Sequence, residues 1–163
     1  MIVLGIDPGI ERVGYAFIKC EGSRLVPISY GLISTNRIDP KPLRIKQIYE
    51  DVCKLIGVYK PDAISIETII FAKNVKTALI ISEVRGVFLL ISALVNIPLV
   101  EFTPLEVKMT ITGYGRSNKS QIERAVQMIL SLSEIPKPDD VSDALSIAIC
   151  GANKIAFQNK INR

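Results

Sequence analysis

Hydrophobic and polar positions alternate between two periods along this chain. Ile2 to Ile6 is a short apolar run stopped by the turn Asp7-Pro8-Gly9. Val13 to Cys20 and Leu25 to Ser34 are rich in β-formers and are separated by Glu21-Gly22-Ser23. Runs of this kind between turn residues predict three strands joined by short connections. From Pro42 to Gly57 the apolar residues Leu43, Ile45, Ile48, Val52, Leu55 and Ile56 approximate a helical stripe, with proline before it and glycine after. Ala63 to Glu67 follows Lys60-Pro61-Asp62 and reads as a buried fourth strand that ends in a carboxylate. A long helical pattern from Asn74 to Asn96 runs toward Pro98, and Leu99 to Phe102 predicts a fifth strand.

Thr103-Pro104 opens a short helix, because threonine suits the N-cap and proline the first helical position. The loop Gly113-Tyr114-Gly115-Arg116-Ser117-Asn118 separates it from a helix beginning near Lys119. After Pro136-Lys137-Pro138, a final helix is expected over Asp139 to Ala152, acidic in its first turn and apolar beyond. Three strands, then helices alternating with two more strands, predict an α/β domain with a five-stranded mixed sheet flanked by helices. A purely parallel dinucleotide-binding sheet is disfavoured by the three-strand start. At 163 residues the chain, 1–163, suits a single domain with one core.

Composition narrows the function classes. Three cysteines, Cys20, Cys53 and Cys150, lie far apart and form no Cys-x-x-Cys pair, and histidine is absent, so no zinc site is expected. A reducing, cytoplasmic setting follows. The opening apolar run is too short for a signal peptide, and the uncharged stretch Gly86 to Val100 falls short of the roughly 20 residues of a membrane span. No membrane association is expected. Twenty Lys plus Arg against sixteen Asp plus Glu give a net charge of +4. This excess fits a nucleic-acid partner, and solvated lysines would produce the same balance.

The acids carry the candidate chemistry. Asp7 ends the first strand, Glu67 ends the fourth, and Asp140 and Asp143 are three apart on one helix. If strands one and four are neighbours, these four carboxylates can meet at one sheet edge. Oxygen ligands without histidine or paired cysteine suit Mg²⁺, with Mn²⁺ as a substitute, and two divalent ions would balance four carboxylates. Two such ions suit in-line hydrolysis of a phosphodiester. Taken singly, each acid has a plainer role: Asp7 in a turn, Glu67 as an edge charge, and Asp139, Asp140 and Asp143 as complements to a helix dipole.

Gly5-Ile6-Asp7-Pro8-Gly9, Ile66-Glu67 through Phe71-Ala72-Lys73-Asn74, and Asp140-Val141-Ser142-Asp143-Ala144-Leu145 resemble, in order and spacing, the three acidic motifs of the RuvC family. Thr77-Ala78-Leu79, Val84-Arg85-Gly86-Val87, Thr103-Pro104 with Val107-Lys108, and Asn118-Lys119-Ser120-Gln121 extend the resemblance over nearly the whole chain. It implies a ribonuclease H-like fold and a magnesium-dependent endonuclease that resolves Holliday junctions in recombination and repair. It also implies a homodimer making paired symmetric nicks, with RuvA and RuvB as partners.

Residue by residue, the resemblance makes Asp7, Glu67, Asp140 and Asp143 the catalytic metal ligands. Asp139 is a nearby decoy, four residues from Asp143; spacing does not choose between Asp139 and Asp140, and the family pattern favours Asp140. Lys108 and Lys119 match lysines near the scissile phosphate, where an ammonium would oppose developing negative charge. Arg116 and Lys73 are weaker candidates for phosphate contacts. The family places an aromatic after the second acid to unstack bases; Phe71 is the wedge candidate, although alignment puts Ile70 at that position. The Gly113-x-Gly115 loop lacks a P-loop ending, so a mobile DNA-contacting loop is expected. The long helix from Asn74 to Asn96 is the candidate dimer contact.

Three rival readings differ in what they require. An actin-like phosphotransferase or ATPase also begins with a strand and an Asp-x-Gly turn but needs two such domains. A RuvX-like RNA-processing nuclease shares the fold and is expected to lack the segment Phe71-Ala72-Lys73-Asn74. A binding module on a nuclease-derived fold would have lost at least one of the four acids, and all four are present.

Overall fold

The computed structural model describes residues 1–69 and 75–161, with the side chains of residues 76, 159 and 160 left aside. The wedge candidates Ile70 and Phe71, together with Lys73, fall outside the described residues. In chain order the elements are β1 (Ile2–Asp7), β2 (Arg12–Glu21), β3 (Arg24–Ser34), α1 (Lys41–Tyr59), β4 (Ala63–Glu67), α2 (Val75–Leu94), β5 (Leu99–Phe102), α3 (Pro104–Thr112), α4 (Lys119–Ile129) and α5 (Asp139–Ile161). The strands form one sheet in the order β3-β2-β1-β4-β5. β1, β2 and β3 are an antiparallel meander, whereas β4 pairs parallel with β1 and β5 parallel with β4. The mixed sheet matches the sequence reading, and β1 and β4 are neighbours, the condition on which a shared carboxylate site depends.

Strand periodicity sends alternate residues into two apolar layers. Leu4 and Ile6 of β1, Val13 and Phe17 of β2, and Ile64 and Ile66 of β4 pack with Ile48, Val52 and Ile56 of α1 and with Val84, Phe88 and Ile91 of α2. On the opposite face Ala16 and Ile18 meet Val141, Ala144, Leu145 and Ala148 of α5, together with Val107 and Ile111 of α3 and Val126 of α4. A sheet with helices on both faces must bury both, which explains why β1 and β4 read as nearly continuous apolar runs.

Two elements differ from expectation. α5 continues to Ile161 rather than stopping at Ala152, because no proline interrupts it and Asn153 and Lys154 face solvent. In α2, Thr77–Leu94 has a mean hydropathy of 1.8 and is long and apolar enough by composition to cross a bilayer, beyond what Gly86 to Val100 indicated. Here Val84, Phe88 and Ile91 lie against the sheet, while Leu79, Leu89, Leu90 and Leu94 are exposed.

Candidate active site

The same alternation that buries Leu4 and Ile6 beneath α1 and α2 turns Gly5 and Asp7 toward α5. In β4, Ile64 and Ile66 lie on the α1/α2 side, so Ser65 and Glu67 also face α5; the buried Ser65 hydroxyl donates to the Ile147 carbonyl of that helix at 2.7 Å. Ile6 and Ile66 are register partners in the parallel ladder, which places Asp7 and Glu67 side by side at the carboxyl ends of neighbouring strands.

Glycine lets α5 lie close enough to add its own acids. A Cβ on Gly5 would collide with the Ala144 carbonyl oxygen, and one on Gly14, the register partner of Asp7, with the Asp140 carbonyl oxygen. Only a hydrogen side chain fits either contact. The first turns of α5 thereby rest across β1 and β2, and Asp140 and Asp143 reach the sheet edge that holds Asp7 and Glu67.

Asp7 is pushed up to about 7, first by burial and then by the charges of Asp143, Asp140 and Glu67, with Lys119 opposing. Glu67 is also raised to about 7, by burial and by Asp143, with Lys108 pulling down. Asp143 is raised by burial despite the charge and hydrogen bond of Lys119. This is a site with more negative charge than its own surroundings neutralise.

The two α5 acids are held by cations. Asp140 Oδ2 lies 3.4 Å from Arg12 Nε, and Asp143 Oδ2 lies 3.3 Å from Lys119 Nζ. Among the described residues, no three acidic or thiol side chains are arranged to grip an ion as they stand. Asp143, Asp140 and Glu67 are each near enough to Asp7 to raise its pKa.

Capped helices position the lysines. α3 begins with Thr103 as N-cap, whose hydroxyl accepts from the Glu106 backbone N–H, while the Glu106 carboxylate accepts from the Thr103 N–H at 2.7 Å. Buried Val107 and Ile111 anchor this helix and leave Lys108 facing the cleft. α4 carries a second capping box between Asn118 and Gln121, with Lys119 as the first helical residue. Each box contributes about 1 kcal/mol and fixes where the following side chain starts. Burial works against the Lys119 charge, yet the hydrogen bonds it donates to Asp139 and Asp143, and their charges, outweigh it and its pKa rises.

Glu67, Asp143, Lys108 and Lys119 line one cleft of about 290 Å³. Asp140 borders a neighbouring depression with Arg12 and the turn after Asp7. Arg116 is exposed on the loop between α3 and α4. That loop, expected to be mobile, is braced. Ser117 is buried, its hydroxyl donates to the Tyr114 carbonyl at 2.7 Å, and it lies 2.6 Å from the Thr112 hydroxyl. Sequence reasoning missed Arg12 and Gly14; Arg12, the first cation after the Asp7 turn, was the signal available for the former.

The family model for crossover junction endodeoxyribonuclease RuvC matches residues 3–151. The RuvC protein of Brevibacillus brevis is 48% identical over 157 residues, covering 96% of this chain and 95% of its own. That of Caldicellulosiruptor saccharolyticus is 49% identical over 151 residues, covering 92% and 91%. The structure of Thermus thermophilus RuvC in complex with a Holliday junction substrate superposes with a TM-score of 0.91 at 26% identity, covering 97% of this chain and 96% of that one. With a mixed sheet and carboxylates at the ends of β1 and β4 beneath α5, this chain belongs to the RuvC family of crossover junction endodeoxyribonucleases.

Proposed function

We propose that the protein resolves four-way DNA junctions by hydrolysing one phosphodiester in each of two strands, using Asp7, Glu67, Asp140 and Asp143 to hold two Mg²⁺ ions. RuvC proteins are metal-dependent nucleases; the identity and number of ions are part of this proposal. One observation carries the reading. Half-buried Asp7 and Glu67 sit side by side with pKa values near 7, in an oxygen-only site whose charge calls for divalent cations.

The bound ions would supply Lewis-acid chemistry, activating a water and neutralising the leaving oxygen of an in-line attack. Lys108 and Lys119 line the cleft with Glu67 and Asp143 and would oppose the charge that develops on the phosphate. Arg116, exposed on the loop before α4, would bind the DNA backbone, as would Lys73. Phe71 or Ile70 would enter the junction as the unstacking wedge.

A homodimer fits the exposed apolar residues Leu79, Leu89, Leu90 and Leu94 of α2, and a two-fold protein would nick a two-fold junction symmetrically. RuvA and RuvB are the expected partners. The free cysteines Cys20, Cys53 and Cys150 suit a reducing, cytoplasmic compartment.

The test is cleavage of a synthetic four-way junction with Mg²⁺, beside a linear duplex and beside Asp7→Asn. Paired nicks in the junction alone, abolished by the substitution, are expected. Junction binding by the wild type without cutting would instead favour a binding module.

A further inference from the structure

Five charged residues of alternating sign connect α4 to the start of α5. Glu123, buried on α4, lies 3.3 Å from Lys137 Nζ, and Lys137 Nζ lies 3.5 Å from Asp139 Oδ1. The other carboxylate oxygen of Asp139 is 2.9 Å from Lys119 Nζ, which in turn is 3.3 Å from Asp143 Oδ2. The proposed chemistry uses only Lys119 and Asp143, so Glu123, Lys137 and Asp139 have no role in it.

Lys119 begins α4, and its side chain is half exposed. A free lysine there would sample many rotamers, and fixing it costs conformational entropy. Its ammonium has three protons, and this arrangement directs one to Asp139 and one to Asp143, leaving one for a substrate oxygen. If Asp143 turns to a divalent cation, Asp139 is the partner that remains. Lys137 occupies the second oxygen of Asp139 and is itself tied to Glu123, which is nearly enclosed, so the anchor is backed from inside the protein.

The geometry points to Asp139 as a positioning residue. It holds Lys119 in the cleft beside Asp143, so that the ammonium stays in place when Asp143 engages the metal. This inference rests on the resolvase reading. A plain helix-dipole role for Asp139 would require none of these contacts with Lys119.

A double-mutant cycle over wild type, D139N, K119M and D139N/K119M separates the two roles. Junction cleavage under single turnover, junction affinity, and Mn²⁺ binding without DNA by calorimetry are measured for each. D139N is expected to slow cleavage about tenfold or more with junction affinity unchanged. D139E should recover most of the rate, and the double variant should be no slower than K119M. Mn²⁺ binding should weaken about threefold in D139N, where Lys119 leans wholly on Asp143, and change much less when Lys119 is already methionine. Equal effects of D139N in both backgrounds, on rate or on Mn²⁺ affinity, would overturn the assignment. A wild type that binds the junction and leaves it uncut would sink the resolvase reading instead, and the Mn²⁺ cycle would still decide the role of Asp139.

Discussion

Asp7→Asn should make the metal-free protein more stable at high pH while removing its activity. Asp7 moves from 3.8 to about 7 on folding, chiefly through burial and then through Asp143, Asp140 and Glu67. A carboxyl whose folded pKa lies above its unfolded one favours folding only while it can keep its proton. Below about pH 4 both states are protonated and Asp7 contributes nothing to the pH dependence. Between about 4 and 7 the unfolded chain has lost a proton that the folded chain retains, so stability falls as pH rises. Above about 7 both are ionised and the full cost is present. A rise of that size corresponds to about 4 kcal/mol, and because Glu67 and Asp143 bear part of the same repulsion, one substitution is expected to recover about 2 kcal/mol.

Urea denaturation in chelator at about pH 5 and about pH 8 reads this directly. Wild type should be the less stable at the higher pH, and Asp7→Asn should gain about 2 kcal/mol over wild type there and much less at the lower pH. Added Mg²⁺ should stabilise wild type at the higher pH by relieving the same repulsion, and Asp7→Asn far less. Equal wild-type stability at both pH values, or no gain from the substitution, would refute the claim that the site stores uncompensated charge.

Two further substitutions probe the scaffold. Gly14→Ala places a methyl group against the Asp140 carbonyl, so α5 must lift from β2; a loss of about 1–3 kcal/mol in denaturation and weaker Mn²⁺ binding are expected, and unchanged values of both would show that the contact yields freely. Leu90→Glu on the exposed face of α2 should give a monomer by sedimentation that keeps its thermal stability, whereas an unaltered dimer would place the subunit contact elsewhere.

Sequence made the acids legible and left their supports hidden. β4 and β5 match their expected bounds to the residue because proline precedes each and the apolar run between is short. Asp7 and Glu67 were readable because a carboxylate at the end of a buried strand is conspicuous where the run is otherwise apolar. The reach of α5 was not, since nothing in Asn153 or Lys154 distinguishes a frayed end from three further turns. Gly14 carried no local signal: a glycine between Val13 and Tyr15 only weakens a strand until α5 is seen lying on it.

The asymmetry among the charges has a chemical cause. Gripping a hard cation admits few side chains, so Asp and Glu in the right places narrow the choice at once. Holding an aspartate admits any lysine or arginine with sufficient reach. Arg12 comes to Asp140 from the start of β2, and Lys137 comes to Asp139 from what reads only as a Pro-Lys-Pro break. Their roles depend on where a flexible four-atom stem ends in space, which sequence spacing does not encode. Asp139 illustrates the point: beside Asp140 it reads as a decoy for the metal, and in three dimensions it faces two lysines. The proposed role of Asp139 as an anchor follows from two lysines meeting it, one on each carboxylate oxygen, and substitutions of those lysines should alter metal affinity without touching an acid.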